Sequence, residues 1–255
     1  MLKEIIENKR KEVELAKKSM PLDNFRNKIL KSSRDFKKAI SKNKLNLIAE
    51  FKKKSPSKNI SNLKLDKKNI KKSIIKVYTK YADAISVLTD GKFFSGSLDE
   101  MKEISGMTHL PILRKDFIID EYQIHEARFY NADAVLLIAS ILSKEEIMSF
   151  LKTARNYGMH CLVEIHNEEE LKKALDAGAE IIGINNRNLD TLEIDLGTTL
   201  KIAGKIPTGK IIVSESGIKD KYYVDKIKDK VNAILVGSKF MNSKNIENEI
   251  LKLIQ

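Results

Sequence analysis

Residues 133–185 read DAVLLIASILSKEEIMSFLKTARNYGMHCLVEIHNEEELKKALDAGAEIIGIN. Three short β-rich apolar runs stand out: DAVLLIA (133–139), HCLVEI (160–165) and EIIGIN (180–185). The two segments between them, SKEEIMSFLKTARNYG and NEEELKKALDAG, have helical periodicity, open on a capping residue followed by glutamates and close on glycine. Strand alternating with helix implies parallel strands, because a parallel pair needs a crossover connection. The same rhythm continues outward. LNLIAEF (45–51), DAISVLT (83–89) and PILRKDF (111–117) precede this stretch, and KIIVSES (210–216) and NAILVGS (232–238) follow it. Eight strand-and-helix units in about 250 residues predict a closed (β/α)8 barrel rather than an open doubly wound sheet, which usually has fewer strands. No glycine-rich phosphate fingerprint follows LNLIAEF.

The expected organisation is a single structural domain, with residues 1–44 as a helical extension and residues 45–255 as the barrel. The extension reads as two helical segments, EIIENKRKEVELAKKSM and LDNFRNKILKSSRDFKKAI, broken at Pro21. Capping the barrel's bottom, covering its top and forming an oligomer contact are all open to it. A hydrophobic fraction of 42% suffices for a real core. No apolar run approaches the roughly 20 residues that span a bilayer, and the first 18 residues alternate charge with Leu, Ile and Val, so a soluble, cytoplasmic protein is expected. Cys161, in HCLVEI, reads as a buried, inert thiol, and the four histidines show no metal-ligand spacing, so no metal site is proposed. The formal charge of +12 raises nucleic-acid binding as an alternative. Lysine outnumbers arginine 40 to 7, is spread along the chain and is not interleaved with aromatics, which argues against that alternative; no membrane partner is expected either, for want of an apolar span.

In a barrel, alternate strand residues point inward and the active site forms at the C-terminal mouth, so the residues ending each strand matter most. The first strand ends with Glu50 and Lys52, in register with Ile48; Leu47, Ala49 and Phe51 then face the helices. By the same alternation Lys53 points away and reads, with Lys58, as solvated charge. The third strand ends with Lys115, the fifth with Glu164, the sixth with Asn185 before Arg187, and the seventh and eighth with SESG and VGS. Any one of these alone reads as a solvated loop residue. Ionisable residues ending five of these strands converge on one cavity, where carboxylates and lysines shift each other's proton affinities and supply a general acid and base, or a lysine for a Schiff base. The small residues of SESG and VGS suit a phosphate, because their backbone N–H groups can approach an anion.

IAEFKKKSPSKN, ISVLTDGKFFSGS, PILRKDFIIDEYQI, LVEIHNEEEL, IIGINNRNLDTLEIDL and SESGI closely resemble, in order from about residue 45 to 241, the signature segments of the indole-3-glycerol phosphate synthase family. The resemblance implies a decarboxylating, dehydrating ring closure in tryptophan biosynthesis. Its substrate is 1-(2-carboxyphenylamino)-1-deoxyribulose 5-phosphate, its products are indole-3-glycerol phosphate, CO2 and water, and no cofactor takes part. It implies Lys115 as the general acid on the substrate carbonyl, and Glu164 and Lys52 as the dehydration pair, with acid and base left open. Glu50 would tune the lysines, and Asn185 and Glu215 would position the substrate. Ser55, Ser216, Gly217, Gly237 and Ser238 would hold the phosphate. Arg187 would face the anthranilate carboxylate, and Phe94, Phe117 and Leu189 would wall the aromatic ring. Asn59 stands where the family commonly has glycine, a position Asn tolerates in the left-handed conformation. A monomer acting on a small phosphorylated aromatic substrate is allowed for. The nearest rival, another sugar-phosphate barrel such as phosphoribosylanthranilate isomerase, needs a cysteine and aspartate pair at the mouth, whereas Cys161 lies inside a strand.

Overall fold

All eight apolar runs form strands: β1 (Asn46–Phe51), β2 (Ala84–Leu88), β3 (Ile112–Lys115), β4 (Ala134–Ile138), β5 (His160–Ile165), β6 (Ile181–Asn185), β7 (Ile211–Glu215) and β8 (Ala233–Val236). The computed structural model describes residues 1–55, 58–59, 68–189 and 191–254, the side chains of Ser55, Lys58, Asn59 and Lys68 excepted. The strands are parallel and close in sequence order, β1 pairing with both β2 and β8. Twelve α-helices occur among the described residues: α1 (Leu2–Ser19), α2 (Phe36–Ala39), α3 (Lys68–Tyr81), α4 (Gly91–Phe94), α5 (Leu98–Ser105), α6 (Tyr122–Phe129), α7 (Lys144–Asn156), α8 (Glu168–Asp176), α9 (Gly197–Ile202), α10 (Lys221–Ile227), α11 (Ser238–Met241) and α12 (Ile246–Ile254). None is long and apolar enough to cross a membrane.

Local chemistry sets the helix ends. Ser143 forms a full capping box with Glu146 at the start of α7, and Asn167 accepts from the Glu170 N–H at the start of α8. Both helices stop where Gly158 (φ +67°) and Gly178 (φ +87°) take up the left-handed conformation. Strand alternation then sorts side chains into two layers. Leu47, Ala49 and Phe51 pack outward with Ile75 and Tyr78 of α3, while Ile48 joins Leu113, Leu136, Leu162, Val213 and Leu235 inside the barrel.

The extension departs from the expected pair of helices. Helix α1 forms, but the second segment consists of two 3-10 turns (Leu22–Asn24 and Arg26–Lys28), an irregular stretch and the four-residue α2. Short polar side chains compete for the backbone here: Ser32 Oγ donates to the Arg34 carbonyl, and Asp35 caps α2 by accepting from the Lys38 N–H. Arg34 draws the stretch onto the barrel's underside. It pairs with buried Asp133 at 2.8 Å and donates to the carbonyls of Ser105, Thr108, Leu110 and Asn131. Phe36 and Ile40 follow, fully buried in the interior cluster, each contributing on the order of 1.5–3 kcal/mol. The Ile40 carbonyl accepts from Asn46 at the start of β1, which places this plug at the N-terminal end of the strands.

The start of α1 sits at the opposite end. Ile5 belongs to the same interior cluster, with Leu2, Ile6, Phe93 and Phe94 packed against it. The extension thus covers the mouth with one segment and closes the bottom with another.

Candidate active site

At the C-terminal ends of the strands the inward-facing residues meet. Lys115 Nζ, at the end of β3, lies 3.0 Å from Glu164 Oε2 on β5 and 2.8 Å from Glu215 Oε2 on β7. Lys52, one residue beyond β1, pairs with Glu50 at 2.8 Å. Asn185 Nδ2 donates to Glu164 Oε1 at 3.0 Å, and its Oδ1 accepts from the Arg187 N–H. The amide of Asn185 therefore orients Glu164 as well as facing the cavity. Arg187 donates to the Leu192 carbonyl at 2.9 Å, which folds the loop after β6 over the mouth.

Three carboxylates surround two lysines, and burial forces them to share protons unequally. Burial works to strip the proton from Lys115, but Glu164, Glu215 and Glu50 outweigh it and hold that proton more tightly than in an ordinary lysine. Burial likewise opposes ionisation of Glu164, and Lys115, His166 and the Asn185 hydrogen bond overcome it, so Glu164 stays below the usual carboxylate range. Glu215 goes the other way. Burial, reinforced by Glu164 and Glu50 against the pull of Lys115, pushes its carboxyl up to about 7. Burial and the neighbouring charges thus set the proton affinities of Glu164 and Glu215 apart, the arrangement that acid-base chemistry requires.

Two cavities adjoin this cluster. One, of about 140 Å³, is lined by Lys52, Lys115, Phe94, Phe117, Arg187 and Leu189, and by Met1, Leu2 and Ile5 of the extension. Phe94 and Phe117 stand 6.2 Å apart, ring centre to ring centre. Asp90, which caps α4, and Asp116, which accepts from the Phe117 N–H, hold these two rings in place. Lys9 of α1 pairs with both aspartates at 2.9 Å and is itself buried. The second cavity, of about 730 Å³, is lined by Ser216, Gly217, Gly237 and Ser238, and shares Glu50, Lys52, Lys115 and Arg187 with the first.

Every catalytic residue expected from sequence lies in this cluster, and the expected ring-wall and phosphate residues line the two cavities, except that the side chains of Ser55 and Asn59 lie outside the described residues. Lys53 points away from the mouth but is not merely solvated, since it pairs at 2.9 Å with buried Glu100. Lys58 also falls outside the described side chains. Cys161 is buried, and burial pushes its thiol up to about 12. Among the described residues no group of three or more His, Cys, Asp or Glu could hold a metal ion.

Sequence reading misses three features. Lys9 reaches the site only through the tertiary path of α1. His166 stands 3.5 Å from Glu164, and its place two residues after Glu164, just beyond the end of β5, was the available signal. Gly183 leaves the room that Glu215 occupies, as Gly237 does for Glu50, and a lone glycine within the apolar run IIGIN is a sign of such close approach.

Residues 2–253 match the family described as indole-3-glycerol phosphate synthase. The chain is 50% identical over 219 residues to the indole-3-glycerol phosphate synthase of Endomicrobium trichonymphae, covering 86% of this chain and 84% of that one. It is 43% identical to the enzyme of the same name from Acetivibrio thermocellus, covering 98% and 97%. Among solved structures, 3-hexulose-6-phosphate synthase from Salmonella typhimurium shares the fold at a TM-score of 0.65 and 14% identity, covering 82% of this chain and 96% of that one.

Proposed function

Because the chain belongs to the indole-3-glycerol phosphate synthase family, and so catalyses a decarboxylating ring closure in tryptophan biosynthesis, we propose that the mouth cluster divides that reaction among its residues as follows. The anthranilate ring enters the smaller cavity against Phe94, Phe117 and Leu189, with Arg187 toward its carboxylate. The phosphate takes the larger cavity at Ser216, Gly217, Gly237 and Ser238. Between the two lies Lys115, which protonates the carbonyl oxygen as the ring carbon attacks the carbonyl carbon. Carbon dioxide then leaves from the ring carbon, and Glu164 and Lys52 carry out the loss of water. Glu50, at 2.8 Å, holds Lys52 in position, and Asn185 fixes the Glu164 carboxylate.

The observation that carries this reading is the placement of Lys115 within hydrogen-bond reach of both Glu164 and Glu215 where the two cavities meet. All of these residues lie on one chain, so we take the working unit to be a monomer. We take residues 1–44 as part of one catalytic unit with the barrel, and place the reaction in the cytoplasm, where a small phosphorylated substrate is held.

The test is product fluorescence with the carboxyphenylamino substrate. Lys115→Ala should abolish turnover while leaving the fold intact, and a Lys115→Ala protein that turns over at the wild-type rate would remove the lysine from its role. Lys52→Ala should stall after ring closure, so quenched reactions should contain an enriched, decarboxylated but still hydrated intermediate. If none accumulates relative to wild type, Lys52 does not act in dehydration.

A further inference from the structure

The overall reaction consumes a proton. The substrate enters with its carboxylate ionised, and that carbon departs as CO2. The carbonyl oxygen must gain two protons to leave as water. One is balanced by the proton lost from the substrate carbon beside nitrogen as the new ring becomes aromatic. The other is drawn from solvent in every cycle. The lysines of the cluster face the two cavities that the substrate fills, so this proton needs a different way in.

His166 occupies such a way. It follows Glu164 by two residues, and its Nε2 lies 3.5 Å from Glu164 Oε1. That nitrogen is buried and has no hydrogen-bond partner. The other ring nitrogen, Nδ1, is held at 3.0 Å by Glu170 Oε2 from the first turn of α8. Glu170 is itself fixed, accepting from the His166 N–H and from Asn167 Nδ2. His166 lines neither of the two substrate cavities. It lines a third, with Asn186, Glu193, Asp195 and Thr198, which shares Asn185 with the smaller mouth cavity and Ile194 with the larger. On the inner side, Glu164 continues directly to Lys115.

Resting on the assignment of Glu164 above, we infer that His166, seated on Glu170, is the relay that carries this proton from the third cavity to Glu164 while substrate closes the mouth. Acidic groups face it from several elements: Glu164 on β5, Glu170 on α8, Glu215 on β7, and Glu193 and Asp195 across the third cavity. Burial disfavours the charged imidazole, and the Glu170 hydrogen bond together with Glu164 outweighs it, so the ring's proton affinity is raised. It therefore binds a proton readily beside the group that needs one. His166 does not touch the substrate; it acts through Glu164.

The experiment is a single-turnover reaction followed at once by product fluorescence and by a pH indicator, completed before the released CO2 hydrates and returns a proton. Wild-type protein should take up one proton per product, in step with product formation. In both His166→Gln and His166→Leu, proton uptake should lag product by roughly tenfold or more, and steady-state kcat should fall to match with KM unchanged. Added imidazole should remove the lag and restore kcat. Two variants of different polarity are used so that a folding defect in one leaves the other to decide. Uptake in step with product in a folded variant, or a loss of kcat that imidazole does not relieve, overturns the relay. Absence of net uptake in wild type would instead overturn the reaction itself.

Discussion

Adding one methyl group to the strand beside Glu215 should disable the site without removing any functional group. Gly183 lies on β6 facing the barrel interior, in register with Glu164 on one side and Val213 on the other. A β-carbon placed there falls well inside contact distance of Glu215 Oε1, 3.3 Å from Glu215 Cδ and 3.2 Å from Leu162 Cδ1. The carboxylate oxygen is the nearest atom and the far end of its side chain, so it must yield, by about 1 Å. A shift of that size takes the 2.8 Å contact with Lys115 Nζ beyond hydrogen-bond range. A hydrogen bond to a charged group is worth about 1.5–3 kcal/mol, and a misplacement of about 1 Å near reacting atoms can cost ~100-fold in rate. Gly183→Ala should therefore lower kcat by roughly 10- to 100-fold. The backbone here is ordinary strand, so the stability loss should stay within the ~1–3 kcal/mol of an overpacked core. Steady-state fluorescence kinetics and urea unfolding measure the two effects. The decisive comparison is in a Glu215→Ala background, where the methyl group has space and Gly183→Ala should change kcat by less than about twofold. If Gly183→Ala keeps wild-type kcat, or is as damaging without the Glu215 side chain as with it, the argument from crowding is wrong.

Two further outcomes follow from buried charge. Lys9→Met should destabilise the protein by about 3–5 kcal/mol in urea unfolding, because enclosed Asp90 and Asp116 lose their shared cation, Asp116 keeping only Arg114; Lys172→Met, which breaks an exposed pair with Asp176, should change stability by less than about 1 kcal/mol. Glu215 should make stability fall with rising pH. Its folded pKa is raised from 4.5 to about 7, so the folded state holds a proton that the unfolded state releases, and the stabilisation present below 4.5 is lost as pH rises through 7. Unfolding free energies between pH 4.5 and 7.5 should show a shallower decline for Glu215→Gln than for wild type, and equal slopes would mean that Glu215 is ionised throughout.

The barrel and most of the mouth are legible because a strand has a period of two and a closed sheet has an inside. Glu50 and Lys52 follow from Ile48 by counting, as Lys115 follows from Leu113 and Glu164 from Leu162. The same count places His166 beside Glu164, but the Glu170 carboxylate that makes the imidazole useful returns from α8, and only the fold shows that return. The extension is legible where its helical period is strong, in α1, and not where tertiary bonds decide. Nothing in KSSRDF announces that Arg34 will bond four carbonyls under the barrel and hold its own segment out of a helix. Lys9 is equally opaque, since in sequence it is one of many lysines on an amphipathic helix.

An acid that holds its proton tightly is a poor donor, and Lys115 holds its proton tightly. The causes show how this reverses. Burial is the largest influence on Lys115 and drives the proton off; only the three carboxylates keep it. Any event that neutralises one of them makes Lys115 a stronger acid. Glu215 is the carboxylate that burial pushes up to about 7, and Glu164 is the one that meets the proton arriving from His166. A substrate that seals the mouth deepens the burial, and a proton entering behind it removes a carboxylate charge. Both changes push the Lys115 proton toward the carbonyl oxygen. On this reasoning the surplus of carboxylates over lysines has a function: it keeps Lys115 charged while the site waits, and it can be switched off from the side that the substrate leaves open.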